Sequence, residues 1–441
     1  MTAARALGLA ITATALLCAI PGGSARADEP CRVLTGARVH LPGGPSDDAV
    51  IVLVGERIAA AGNIVAGLEL SIPNTGSARF QGQACVQQDY SGREITAGLI
   101  EAGSSLGLVE IGLEAATRDH NWEAGPANRA ALVVADAYNA RSTLIPVARL
   151  GGITSALIVP RGGLISGQGA VVDLRGGSQQ EAVVNRSAAL YASMRTGGSR
   201  AAGIHLLGQA LDDARFLSRN GAAYEAGRTR PLSAGPLALA AIADVVRNRI
   251  PLVVAADRAA DIEALLRLAA TQNIRLVIAG GAEAWLLADE LSTARVAVIV
   301  NPLVYGPGSF DQVEARADNA ALLDAAGVHV IIATGSSHFA RNLRQRAGNA
   351  VRGGLSHHAA LRAITATPAE VFGLRHRGRI EAGAIANLVS WSGDPLEISS
   401  RPLEILIRGA AMPLRSRQTE LLDRYRRPPG TPVPPEPLPT P

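Results

Sequence analysis

Five side chains able to hold a metal ion or move a proton, His120, His205, Asp257, Glu283 and His338, lie on separate segments of this 441-residue chain. Only the fold can bring three of them to one divalent ion. Asp257 follows an apolar run and can accept a hydrogen bond or bind a cation weakly, but Arg258 beside it favours a plain ion pair. His338 follows the last strand-like run, where a solvated loop histidine is the alternative reading. Ser104, Ser105, Ser336 and Ser337 offer hydroxyls, and no G-x-S-x-G elbow surrounds them to make a nucleophile. Glu110 and Arg341 add charge near strand ends. The glycine-rich GGLISGQGA, with Ser166, Gly167, Gln168 and Gly169, lacks P-loop spacing, so a structural turn is preferred to a phosphate cradle.

Positioning these residues falls to a regular alternation. Between residues 96 and 376, apolar strand-like runs start at Ala97, Ile153, Pro251, Arg275, Val296 and Val328. Helical stretches such as RAADIEALLRLAATQ and AEAWLLADELST separate the later ones. Repeated βα units of this kind predict a parallel sheet, and the length favours an α/β barrel of TIM type. The third and fourth strands have no clear place between residues 160 and 250. Upstream, RVLTGARVHL and AVIVLVGERIAAAG read as strands of a small antiparallel sheet, and a second β-rich piece follows at residues 386–393 and 403–409. The proline-rich end from Arg426 cannot build a core.

Composition narrows the function. Apolar residues make up 48% and aromatics 3%, so the interior is built from Ala, Val, Leu and Ile. Every one of the 42 basic residues is arginine, scattered without aromatic interleaving, and the net charge is only +4. Nucleic acid is excluded as a partner on that pattern. The start, an early arginine, an apolar run from Ala6 to Ile20 and Ala25-Arg26-Ala27, predicts a signal peptide over residues 1–27 and a mature chain from Asp28, periplasmic or secreted. No later run is apolar enough to span a membrane. Cys31 and Cys85 then remain as an even pair, which predicts a disulfide, the alternative being two buried thiols.

AGLIEAGSSLGLVEIG, IPVARLGGITSALIVPRGGLISGQGA, RNLRQRAGNAVRGGLSHHAALRAITATPAEVFGL and GRIEAGAIANLVSWSGDPLE together resemble the amidohydrolase superfamily, in particular its secreted imidazolonepropionase-like members. The first segment is similar to the opening of that family's barrel and the second to its second βα unit and loop. The third is similar to the helix pair after the eighth strand, and the fourth to the return into the small sheet. The resemblance implies a (β/α)8 barrel over 96–376 and a composite β-sandwich from 28–95 and 377–425, followed by a tail at 426–441. It also implies metal-assisted hydrolysis of non-peptide C–N bonds with one or two zinc or similar divalent ions.

At the positions where that family places its ligands, this chain has Gly103 and Ser105 after the first strand, Ala255 at the fifth, Gly280 at the sixth and Gly335 at the eighth. None supplies a strong N, S or carboxylate ligand, and a chain without lysine cannot form a carboxylated-lysine bridge. The expectation is no cofactor, a degenerate metal site and a pocket formed by Ser104, Asp257, Glu283, Ser336, His338 and Arg341. The chain thus reads as an exported pseudoenzyme or small-molecule-binding protein. The alternative is an active hydrolase of cyclic or linear amides with a relocated site. No subunit interface is specified.

Overall fold

A computed structural model describes residues 29–70, 76–122, 124–194 and 198–426. The predicted signal peptide and the proline-rich stretch from residue 427 lie outside the described residues.

An eight-stranded sheet curls into a nearly closed TIM-type barrel. Its strands, in spatial and chain order, are Leu99–Ser104, Ile153–Ile158, Ile165–Asp173, Val183–Ser193, Leu252–Ala256, Leu276–Gly280, Ala297–Val300 and Val330–Ile332. Seven run parallel. The third is antiparallel to both neighbours, pairing Ser155 with Asp173 and Ile165 with Ala192. This corrects the reading of Ile145 to Ala170 as the second βα unit and its loop. The link at residues 159–164 is too short for a parallel crossover, which needs a dozen residues or more, so the chain turns back on itself as a hairpin. Ser166, Gly167, Gln168 and Gly169 accordingly lie within a strand and not in a turn.

The helices follow the same local logic. Ala259–Gln272 buries Ile262, Leu265 and Ala269 on one face and stops at Asn273, whose φ of 46° ends the helix in the left-handed region. AEAWLLADELST divides into a 3-10 turn, Ala284–Leu287, and a short α-helix, Ala288–Thr293.

Alternation along the strands separates two apolar layers. Ile100, Ala102, Leu157, Val171, Val253, Val277 and Ile331 fill the barrel, while Leu99, Ile153, Val254, Ile278 and Ile332 face the surrounding helices. Val371, Phe372 and Leu374 join the inner cluster, so the end of helix Ala366–Val371 and the residues after it plug one end of the barrel.

Two six-stranded sheets form the sandwich. One is wholly amino-terminal. The other is composite: Glu94–Ala97 pairs antiparallel with Leu388–Trp391, which pairs in turn with Pro402–Ile407. Both sheets are mixed and not antiparallel throughout, because Cys31–Thr35 runs parallel to Gln83–Asp89 and Arg38–Leu41 parallel to Glu94–Ala97. The first of these registers sets Arg32 beside Val86, which brings Cys31 and Cys85 together in a disulfide with Cα atoms 4.5 Å apart.

One buried carboxylate ties sandwich to barrel. Asp173, fully buried at the end of the reversed strand, accepts hydrogen bonds from Ser155 Oγ at 2.8 Å, Arg377 Nη2 at 2.8 Å and Arg408 Nε at 2.9 Å. Burial pushes its pKa up, but the two guanidiniums and Ser155 outweigh that and hold it below the usual carboxylate range.

Candidate functional site at the barrel mouth

The open end of the barrel holds a cavity of about 480 Å³. Strand ends supply its lining: Gly103, Ala255, Gly280 and Gly335 all face it. Ser166 reaches the mouth because its strand is reversed and presents its start there. Arg161 is the one charged residue in the lining among the described residues, and its Nη2 donates to Gly335 O at 2.8 Å, spanning from the second strand's loop to the end of the eighth.

Small residues are not interchangeable here. Gly280 has a φ of 108°, and Asp257 Oδ1 lies 2.4 Å from where a Cβ would stand. A histidine at that position would be strained by this φ and would have to displace the Asp257 carboxylate. A Cβ at Gly103 meets nothing within 4 Å. Ser105 is buried and its carbonyl accepts from Leu108 N.

The six polar residues read from sequence as a pocket lie outside this cavity's lining. Ser104 is buried, its Oγ accepting from Leu106 N at 2.9 Å. Asp257 accepts from Gln312 Nε2 at 2.9 Å and Ala282 N at 3.3 Å. Glu283 accepts from Ala259 N at 2.9 Å and Glu314 N at 3.2 Å, pinning two loops. Ser336 Oγ accepts from Phe339 N at 3.3 Å, and Arg341 Nη1 donates to Gln418 Oε1 at 3.4 Å.

His338 is fixed from both sides. Its Nε2 sits 3.2 Å from Glu110 O, which can only accept, so that nitrogen carries the proton and Nδ1 accepts from Ser337 Oγ at 3.1 Å. The pairing was available from sequence, since Ser337 and His338 are adjacent. Ser337 is buried and absent from the cavity lining, so the pair braces the loop. His205 is exposed on helix Arg200–Glu225, and His120 is half-buried below its usual pKa, through burial first and then Arg161 and Arg118. Among the described residues no three His, Cys, Asp or Glu side chains are grouped to hold a metal ion.

Sequence reasoning missed Glu101. Its even-numbered neighbours Ile100 and Ala102 face the barrel interior, so Glu101 faces outward, fully buried. Both its oxygens accept from Thr334 N, at 3.0 and 3.2 Å. The first and eighth strands are not ladder neighbours in the sheet order, so this carboxyl closes the seam. Burial pushes its pKa up to about 7, against hydrogen bonds from Thr334 and Gly335 and the pull of Arg346. Arg346 also donates to Asn301 Oδ1 in the cavity wall.

A carboxyl whose pKa rises on folding holds its proton more tightly in the folded chain. Its stabilising effect is complete below the ordinary value of 4.5 and is lost as pH rises through about 7. Over that window the folded state should lose about 3 kcal/mol. Glu101→Gln keeps an acceptor for Thr334 and removes the charge, so urea melts at pH 5 and pH 8 should differ by less than about 1 kcal/mol from this source. An unchanged pH slope in the variant would show that Glu101 titrates normally.

Against known proteins, residues 256–413 match the amidohydrolase family. A 59-residue stretch is 42% identical to amidohydrolase tasK of Hapsidospora irregularis, covering 13% of this chain and 6% of that protein. An amidohydrolase from Thermotoga maritima MSB8 superposes with a TM-score of 0.75 at 23% identity, over 87% of this chain and 100% of its own. Ochratoxinase of A. niger does so at 0.53 and 14%, over 87% of this chain and 96% of its own. At these identities the two likenesses show a shared fold. Residues 256–413, the barrel's second half and the return strands, thus carry an amidohydrolase family domain, and the fold of the chain is the one these solved structures share.

Proposed function

We propose that this protein binds a small organic molecule in its barrel mouth and is a non-hydrolytic member of its superfamily. The observation that carries this is the ring of Gly103, Ala255, Gly280 and Gly335 around one cavity, at the positions where the resemblance places metal ligands. None of them can lower the pKa of a bound water. A space of about 480 Å³ falls within the range of small-molecule sites. Its walls, Val253, Ala279, Ile299 and Ala333, suit an apolar body, and Arg161 at the rim suits a polar or anionic end.

The family match favours a second reading, hydrolysis of a C–N bond other than a peptide bond at a relocated site. Elemental analysis of the full chain purified without chelator separates the two. The binding reading expects well under one divalent ion per chain and a melting temperature indifferent to EDTA. One equivalent of zinc or a similar ion, removable by EDTA with a loss of stability, would overturn it and establish the hydrolase.

A further inference from the structure

A second cavity, of about 290 Å³, lies at the seam between the composite sheet and the helices that follow the barrel. It shares no lining residue with the barrel mouth. His40 and Thr96 face it from the sandwich, His358, Arg362 and Thr365 from helix His357–Ala363 and its end, and Arg379 from the loop beyond.

The charges here do not balance. Glu94 is taken up by His40 at 2.6 Å, Asp394 by His357 at 2.9 and 3.0 Å, and Glu370 by Arg379. The Arg362 guanidinium has no hydrogen-bond or ion-pair partner among the described residues, and the His358 imidazole no hydrogen bond. His40 and His357 stack with ring centroids 6.1 Å apart, concentrating further nitrogen donors beside the pair. His358 is held below the usual imidazole range by burial, then by Arg362, His40 and His357, with Asp324 alone opposing. An anion would relieve that crowding. Thr365 Oγ1 already donates to Leu361 O and Thr96 Oγ1 accepts from Trp391 Nε1, so recognition rests chiefly on the N–H donors of Arg362 and His358.

We propose that this seam is a binding site for a small oxyanion, a phosphate or carboxylate group, held by Arg362 and His358. A guanidinium presents paired N–H donors that match two oxygens of either group.

Isothermal titration of the full chain with inorganic phosphate and, separately, with acetate tests it. Saturable binding of phosphate alone assigns the phosphate class, and saturable binding of acetate the carboxylate class. Arg362→Gln should weaken the binding by about tenfold or more, as for loss of a charged hydrogen bond. Arg362→Lys should recover part of it. Arg362 is exposed, so the melting temperature of Arg362→Gln without anion should match that of the unaltered chain, which separates a lost contact from a lost fold. Absence of saturable binding to either anion, or equal affinity in Arg362→Gln, would overturn the proposal.

Discussion

Asp173→Ala is expected to lower the stability of the folded chain by about 3 to 5 kcal/mol, read as a drop in the urea midpoint with an unchanged slope. Removing the carboxylate leaves Arg377, itself nearly buried, without the charge that offsets it, and leaves Arg408 only its longer ion pair with Glu56 at 3.6 Å. Ser155 Oγ and Asn387 Nδ2 lose an acceptor in the same step. Arg377 lies on the segment that leads into the return strands and Arg408 in the turn that follows Pro402–Ile407, so the loss also loosens the sandwich from the barrel. Because Asp173 is held below its ordinary pKa, its contribution is present above the unfolded value and fades as pH falls through the lower folded one. The variant's deficit should therefore be largest near neutrality and shrink in acid. A deficit under about 1 kcal/mol at pH 7 would mean that solvent, not Asp173, balances the arginines.

Reducing Cys31–Cys85, or replacing both residues by serine, should cost about 4 kcal/mol on the chain-entropy account, since the bridge closes a separation of 54 residues. Register makes the bond natural: Cys31 and Cys85 sit one step before the paired Arg32 and Val86. Both are buried with Val33, Val52, Ala78 and Phe80, so reduction would also leave two thiols in an apolar cluster. Non-reducing mass spectrometry should recover the two peptides joined. Two freely alkylated thiols in the native protein would remove the bridge, and an unshifted midpoint after reduction would remove its energetic role. The bond suits the oxidising location that we propose for the chain from its first 27 residues.

Much of the architecture was legible because apolar runs of four to six residues, bounded by turns, have few alternative fates. Leu252–Ala256, Leu276–Gly280, Ala297–Val300 and Leu388–Trp391 all fall inside runs read directly from the chain. The reversed strand Ile165–Asp173 was not, for a physical reason. A strand buried on both faces carries the same apolar pattern in either direction, and only the length of its links decides which way it runs. Glu101 escaped notice because strand parity, not residue type, turns it away from the cavity and into the seam. Arg161 reads like any other arginine until the hairpin places it over Gly335. That Gly103, Ala255 and Gly280 carry no ligating side chain needed no structure, but the left-handed φ of Gly280, which strains any side chain there, did.

The composite sheet also sets an order of events. Glu94–Ala97 takes one partner, Arg38–Leu41, from nearby, but its other partner, Leu388–Trp391, is synthesised only after every barrel strand. Until then the early strands present an open edge of unpaired amides and carbonyls. A contact joining such distant parts of the chain is slow to form, since the intervening loop must close first. The sandwich is thus begun first and finished last, and a chain cut before Leu388 would carry a folded barrel with a sticky half-sheet, whose fate at high concentration is association through that edge.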